Sequence, residues 1–112
     1  MDITETKAGD IVTLALKGRL DGTAAKEFEA KILALIDAGD CKLIIDLAEL
    51  DYINSVGLRA FVVAARGLKV IGGRIVLCAL QPSIRQLFDL TGFWASFTIV
   101  ATHEEAAALI AS

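Results

Sequence analysis

The spacing of apolar residues in this chain switches back and forth between two periods, and that alternation limits the fold more than any single motif. Val12, Leu14 and Leu16 alternate with Thr13, Ala15 and Lys17, the period of a strand with one buried face. Ile3 to Lys7 is expected to pair with it as a hairpin, because Ala8-Gly9-Asp10 supplies the turn residues a reversal needs. The period then lengthens. Ala25, Phe28, Ile32, Leu35 and Ile36 recur at helical spacing, Lys26, Glu27, Glu29 and Lys31 occupy other faces, and Gly39 offers a left-handed stop.

Leu43-Ile44-Ile45 is a continuous apolar run suited to an interior strand, ending at Asp46. A second helix is predicted from about Val56 to Val70, with Leu58, Phe61, Val62 and Ala65 as its apolar side and Gly72-Gly73 as its end. Ile75-Val76-Leu77 reads as another interior strand. Pro82 suits a first helical turn, Ile84, Leu87 and Phe88 give a short helix its stripe, and Gly92 can close it. Phe97 to Val100 supplies a last strand, and Thr102 with Glu105 forms a capping box for a final helix through Ala106, Leu109 and Ile110. The expected order is β-β-α-β-α-β-α-β-α: an α/β fold, with a mixed, mainly parallel sheet of four to five strands and about four helices joined by right-handed crossovers.

The 112 residues suit one domain, 1–112, with a real core. Although 55% of the chain is hydrophobic, its uncharged runs fall far short of the ~20 residues a membrane span requires, so no membrane insertion is expected. Met1-Asp2-Ile3-Thr4-Glu5 lacks a basic segment followed by an apolar stretch, which predicts a cytoplasmic protein without signal or transit peptide. A net charge of −3, with Lys and Arg scattered from Lys7 to Arg85, gives no basic stripe for direct nucleic-acid binding. Cys41 precedes one strand and Cys78 lies near the end of another, so parallel pairing would hold the thiols at opposite ends of the sheet.

Chemistry concentrates in Asp51-Tyr52-Ile53-Asn54-Ser55-Val56-Gly57-Leu58-Arg59, which connects the Leu43 to Leu47 strand with the second helix. Functional sites in parallel sheets gather at the carboxyl ends of strands, where Ser55 falls. Asn54 or Ser55 can cap the helix, facing the backbone N–H groups of Val56, Gly57 and Leu58. A phosphate on Ser55 would meet those donors and the positive end of the helix dipole, although an ordinary N-cap would look the same in sequence.

An acidic residue, an aromatic or aliphatic pair, Asp or Asn, then Ser, a small residue, Gly and Leu is the signature of the STAS family of the bacterial anti-sigma factor antagonist type, and Asp51 through Leu58 resembles it. The resemblance extends to Gly18-Arg19-Leu20-Asp21 after the second strand, to Leu43 through Asp46 and to Leu87 through Phe93. It implies a STAS-like fold and a non-enzymatic, phosphorylation-regulated partner-switching protein. Unphosphorylated, such a protein binds an anti-sigma factor that is also a serine kinase and so releases a sigma factor; a serine phosphatase restores the hydroxyl. Carried onto this chain, the resemblance makes Ser55 the phosphorylation site. It places Asn54 and Gly57 in the shaping of its loop and Asp21 and Asp51 in neighbouring loops; since a switch must control contacts close to itself, the partner surface is expected around Ser55 and the start of the second helix, with Asp21, Asp51, Asn54, Val56, Gly57, Leu58 and Arg59. The chain carries Asn54 where many members have Asp, removing a negative charge beside the hydroxyl, and Val56 is bulkier than the usual Ser, Ala or Thr.

Competing constellations are weak. A nucleophile elbow needs Gly two residues before the serine, where this chain has Ile53, and the only histidine, His103, falls at the cap of the last helix. A serine hydrolase and any other catalytic site are therefore not expected. A single His, two separated Cys and dispersed carboxylates show no metal-ligand spacing, and no cofactor fingerprint is present. A stand-alone STAS subunit can also resemble the accessory protein of a lipid-transport ATPase, which keeps the fold and changes the role. Asp46, Glu49 and Asp51 form an acidic cluster suited either to steering a partner or to a solvated loop. Phe93, Trp94 and Phe97 suit satellite core better than an interface anchor.

Overall fold

The computed structural model describes residues 1–92 and 97–111. The elements are β1 (Asp2–Ala8), β2 (Ile11–Leu20), α1 (Gly22–Asp37), β3 (Lys42–Ile53), α2 (Ser55–Val70), β4 (Arg74–Cys78), α3 (Pro82–Thr91), β5 (Thr98–Val100) and α4 (His103–Ala111). They follow the order anticipated from the hydrophobic periods. The five strands lie side by side in sequence order, with β1 antiparallel to β2 and the remaining pairs parallel.

That order decides where the helices go. Right-handed crossovers that always step to the next strand in one direction put their helices on one face of the sheet. The main core accordingly joins Val12, Leu14, Leu16, Leu43, Ile45 and Leu77 of the sheet to Phe28 and Ile32 of α1, Phe61 and Leu68 of α2, and Ile84 and Phe88 of α3. Phe61 sits at its centre, with ring centroids 5.0 Å from Phe28, 5.8 Å from Phe88 and 6.3 Å from Phe97. The opposite face carries a smaller cluster, where Ala106 and Ile110 of α4 cover Ile44, Val76 and Cys78.

Local signals hold at several ends. Gly39 and Gly92 take the positive φ that lets a helix stop, at +91° and +74°. The Thr102 hydroxyl oxygen accepts from the Glu105 N–H at 3.1 Å, whereas the Glu105 carboxylate takes the N–H of Ala101, one residue outside the reciprocal bond of a capping box. Cys41 and Cys78 are free thiols, and burial, with the Asp46 charge added, pushes the Cys78 thiol up to about 11.

Three expectations change. β3 does not end at Asp46. It runs on to Ile53, because its second half pairs with β2 through Lys17–Glu49, Gly18–Leu50, Arg19–Tyr52 and Leu20–Ile53, across two register shifts. Glu49 and Asp51 are thus strand residues rather than parts of a solvated loop. The buried stripe of α2 is Gly57, Leu58, Ala60, Phe61, Ala64 and Leu68; Val62 and Ala65, assigned to it from sequence, are half-buried at its margin. Phe93 and Trp94 fall outside the described residues, while Phe97 packs against the main core.

Candidate functional site

Because β2, β3 and β4 are parallel neighbours, the connections that follow them open along one edge of the sheet. β2 ends at Leu20, which pairs with Ile53, the last residue of β3. One residue follows each strand, Asp21 and Asn54, before α1 and α2 begin. The two helix starts are therefore adjacent. Asp21 is the N-cap of α1, its carboxylate accepting from the Ala24 N–H at 3.2 Å.

Asn54 is the N-cap of α2, settling a point the sequence left open. Its backbone is extended and its side-chain oxygen accepts from the N–H groups of both Val56 and Gly57 at 3.1 Å. Its carbonyl accepts from the Leu58 N–H at 2.9 Å. The three donors expected to face a phosphate are thus already engaged. Ser55 becomes the first residue of the helix, exposed, and among the described residues its hydroxyl makes no hydrogen bond.

Gly57 explains how α2 is held so close to β2. A Cβ built there would stand 2.6 Å from the Leu20 carbonyl oxygen, 2.8 Å from Ile53 Cγ1 and 2.9 Å from Leu20 Cγ. Only glycine lets the first turn of α2 rest on the end of β2. Leu58, 3% exposed, points into the core. Gly57 and Leu58 are buried, so neither offers a side chain to a partner; they fix the site from beneath. Val56, 47% exposed, Arg59 and Asp51 do face solvent, and Asp21 and Asn54 are half-buried beside them.

Arg59 and Val56 line an open groove of about 600 Å³ between α1 and α2, opposite Gly22, Thr23, Lys26 and Glu29. Sequence reasoning missed a second feature, the Arg19 guanidinium stacked 4.0 Å above the Tyr52 ring. Both residues lie in stretches the motifs singled out, but their pairing depends on the shifted register of β2 and β3.

His103 cannot serve Ser55 as a base. Its Nε2 lies 2.9 Å from the Thr13 hydroxyl, near the other end of β2, roughly 20 Å from the Leu20 end at ~3.3 Å per strand residue. Among the described residues no group of His, Cys, Asp and Glu could hold a metal ion, and no helix is long and apolar enough to cross a membrane.

The site is thus an exposed hydroxyl at a helix start, flanked by charged and apolar side chains, on an α/β sheet of five strands and four helices. The chain belongs to the STAS domain family, whose model matches residues 2–106. It is 35% identical over 108 residues to BtrV of Bordetella bronchiseptica, provisionally described as an anti-sigma factor antagonist, covering 96% of this chain and 93% of that protein. It is 32% identical over 98 residues to an anti-sigma F factor antagonist of Lysinibacillus sphaericus, covering 87% of this chain and 83% of the relative. The fold superposes on the phosphorylated form of the Bacillus cell fate determinant SpoIIAA with a TM-score of 0.77 and 26% identity, over 97% of this chain and 99% of that one.

Proposed function

We propose that this protein is an anti-sigma factor antagonist that works by partner switching, with Ser55 as the switch. The observation that carries the reading is the uncommitted Ser55 hydroxyl: Asn54 does the capping, so the hydroxyl is left exposed at the first position of α2. The names of the relatives support the antagonist role, and the phosphorylated form of SpoIIAA supports a phosphorylated state. The partners in this reading are an anti-sigma factor acting as serine kinase and a serine phosphatase.

The chemistry is a phosphoryl transfer. Ser55 Oγ forms a bond to the γ-phosphorus of ATP as the bond to the ADP oxygen breaks, and the hydroxyl proton leaves to a base of the kinase. Water reverses the modification in the phosphatase, releasing inorganic phosphate. The product carries about −1.5 to −2 charge, which is tolerated at a helix N-terminus. At a partner surface fitted to a hydroxyl the same dianion must be desolvated, and binding is lost.

Incubation with the cognate kinase and ATP is expected to add one phosphate, located at Ser55 by peptide mass spectrometry, and Ser55→Ala is expected to take none. Phosphate found instead on Thr23 or Ser83, with Ser55 unmodified, would overturn the assignment.

A further inference from the structure

Three of the donors that a helix N-terminus would ordinarily lend to an anion are engaged at α2, which leaves the Ser55 N–H. Val56 and Gly57 donate to the Asn54 side chain and Leu58 to the Asn54 carbonyl. Beyond that single N–H, a phosphate on Ser55 draws its counter-charge from side chains. Arg59 stands four residues along the same helix, so the two share a face about 6 Å apart. Helical side chains lean toward the N-terminus, which directs Arg59 back over Ser55.

Lys26 of α1 lines the groove opposite Arg59, and Ser55 lies beside Val56 at the groove's margin rather than among its lining residues. Among the described residues neither cation has an ion pair, which is also true of Lys17, Arg19, Arg66 and Lys69, whereas Lys7, Lys31, Lys42 and Arg85 are paired. The helix dipole does not explain Arg59, since cations are favoured at the opposite end. The acidic groups nearby are Glu29, which lines the same groove, Asp21, whose carboxylate is engaged in capping α1, and Asp51, exposed near the end of β3, with Glu27 beyond it.

We propose that Arg59, with Lys26 assisting across the α1–α2 groove, holds the phosphate of Ser55, so that the modification withdraws a cation from the partner surface as well as adding a dianion to it. The inference rests on the reading of Ser55 as the phosphorylated residue and deepens it. In the unmodified protein Arg59 is exposed along the groove and without an ion pair, available to an acidic group of the partner. Once the phosphate is present, the planar guanidinium can engage two of its oxygens, which Lys26 as a point charge cannot. The phosphoprotein would then present a neutralised, self-satisfied site.

The test places phosphoserine at position 55 during translation of the full chain, so that no kinase is needed, and follows the phosphate by 31P NMR as pH is varied. The wild-type phosphate is expected to titrate below the ~6 of free phosphoserine. Arg59→Gln is expected to raise the midpoint by about 0.3–0.5 of a pH unit, Lys26→Gln by less, and Arg59→Lys is expected to recover part of the difference. Arg66→Gln, an exposed cation further along α2, should leave the midpoint where it was, and ~1 M salt should shrink the Arg59 effect. An identical midpoint in wild type and Arg59→Gln, or an equal rise in Arg66→Gln, would overturn the proposal. Failure of the cognate kinase to modify Ser55 in a separate assay would instead remove the parent reading, without altering what the titration says about Arg59.

Discussion

α1 and α2 begin side by side on the same edge of the sheet, each one residue beyond a strand, yet they are finished differently. α1 is capped by a carboxylate, Asp21, through one hydrogen bond, and a Cβ on its first residue, Gly22, would meet open space. α2 is capped by a neutral amide, Asn54, through two, and its first turn is pressed onto the Leu20 carbonyl at Gly57. The start of α1 already has its anion. That of α2 has none in its first turn, and it is closely seated on β2 with a spare hydroxyl at its tip. One start is closed by its own carboxylate; the other keeps an exposed hydroxyl beside a neutral cap.

The sharpest way to break this comparison is to make the same substitution at both glycines. Gly57→Ala is expected to cost ~1–3 kcal/mol in denaturant unfolding, because a backbone carbonyl cannot swing aside as a flexible side chain could. Gly22→Ala is expected to stabilise by ~0.4–1 kcal/mol through the unfolded chain. Equal effects would mean that the close seating of α2 has no energetic consequence.

Removing the caps comes next. Asn54→Ala and Asp21→Ala are each expected to cost ~1 kcal/mol in unmodified protein. In Ser55 phosphoprotein the Asn54→Ala loss should shrink, since the freed Val56 and Gly57 N–H groups can then bind the phosphate, while the Asp21→Ala loss should not. Thermal melts of wild type and the two variants, each with and without phosphate, read this directly.

The smallest effect separates the charges of the two caps. Asn54→Asp gives α2 the carboxylate that α1 has, and in unmodified protein it is expected to be neutral or to stabilise by up to ~1 kcal/mol. In phosphoprotein the like charges should reverse the sign. If Asn54→Asp stabilises both forms equally, the neutrality of the α2 cap does not matter.

Much of this arrangement was legible before any coordinates. The alternation of periods gave the order of elements because apolar spacing is a local record of which face is buried, and Pro82, Gly39 and Gly92 marked ends through backbone preference alone. The stretch from Glu49 to Tyr52 was not legible as strand. Its residues are mostly charged or exposed, and its extended form comes from pairing with β2 across two register shifts. The stripe of α2 was read slightly off because Gly57, Ala60 and Ala64, small residues with little apolar weight, mark its true centre. Gly57 stands out in the motif, but the close approach that requires a glycine there is to Leu20, far away in sequence. The choice between Asn54 and Ser55 as cap could be made only from hydrogen bonds, and on that choice the freedom of the Ser55 hydroxyl depends.

The central claim is that phosphate on Ser55 abolishes a partner contact while leaving the fold intact. It is tested most directly by measuring, under identical salt, the affinity of the anti-sigma factor for unmodified protein and for Ser55 phosphoprotein, alongside their melting temperatures. The expected result is a loss of affinity of about two orders of magnitude or more, the equivalent of roughly 3 kcal/mol, with melting temperatures that stay close together. Equal affinity for the two forms, or a phosphoprotein that unfolds far below the unmodified one, would contradict the account.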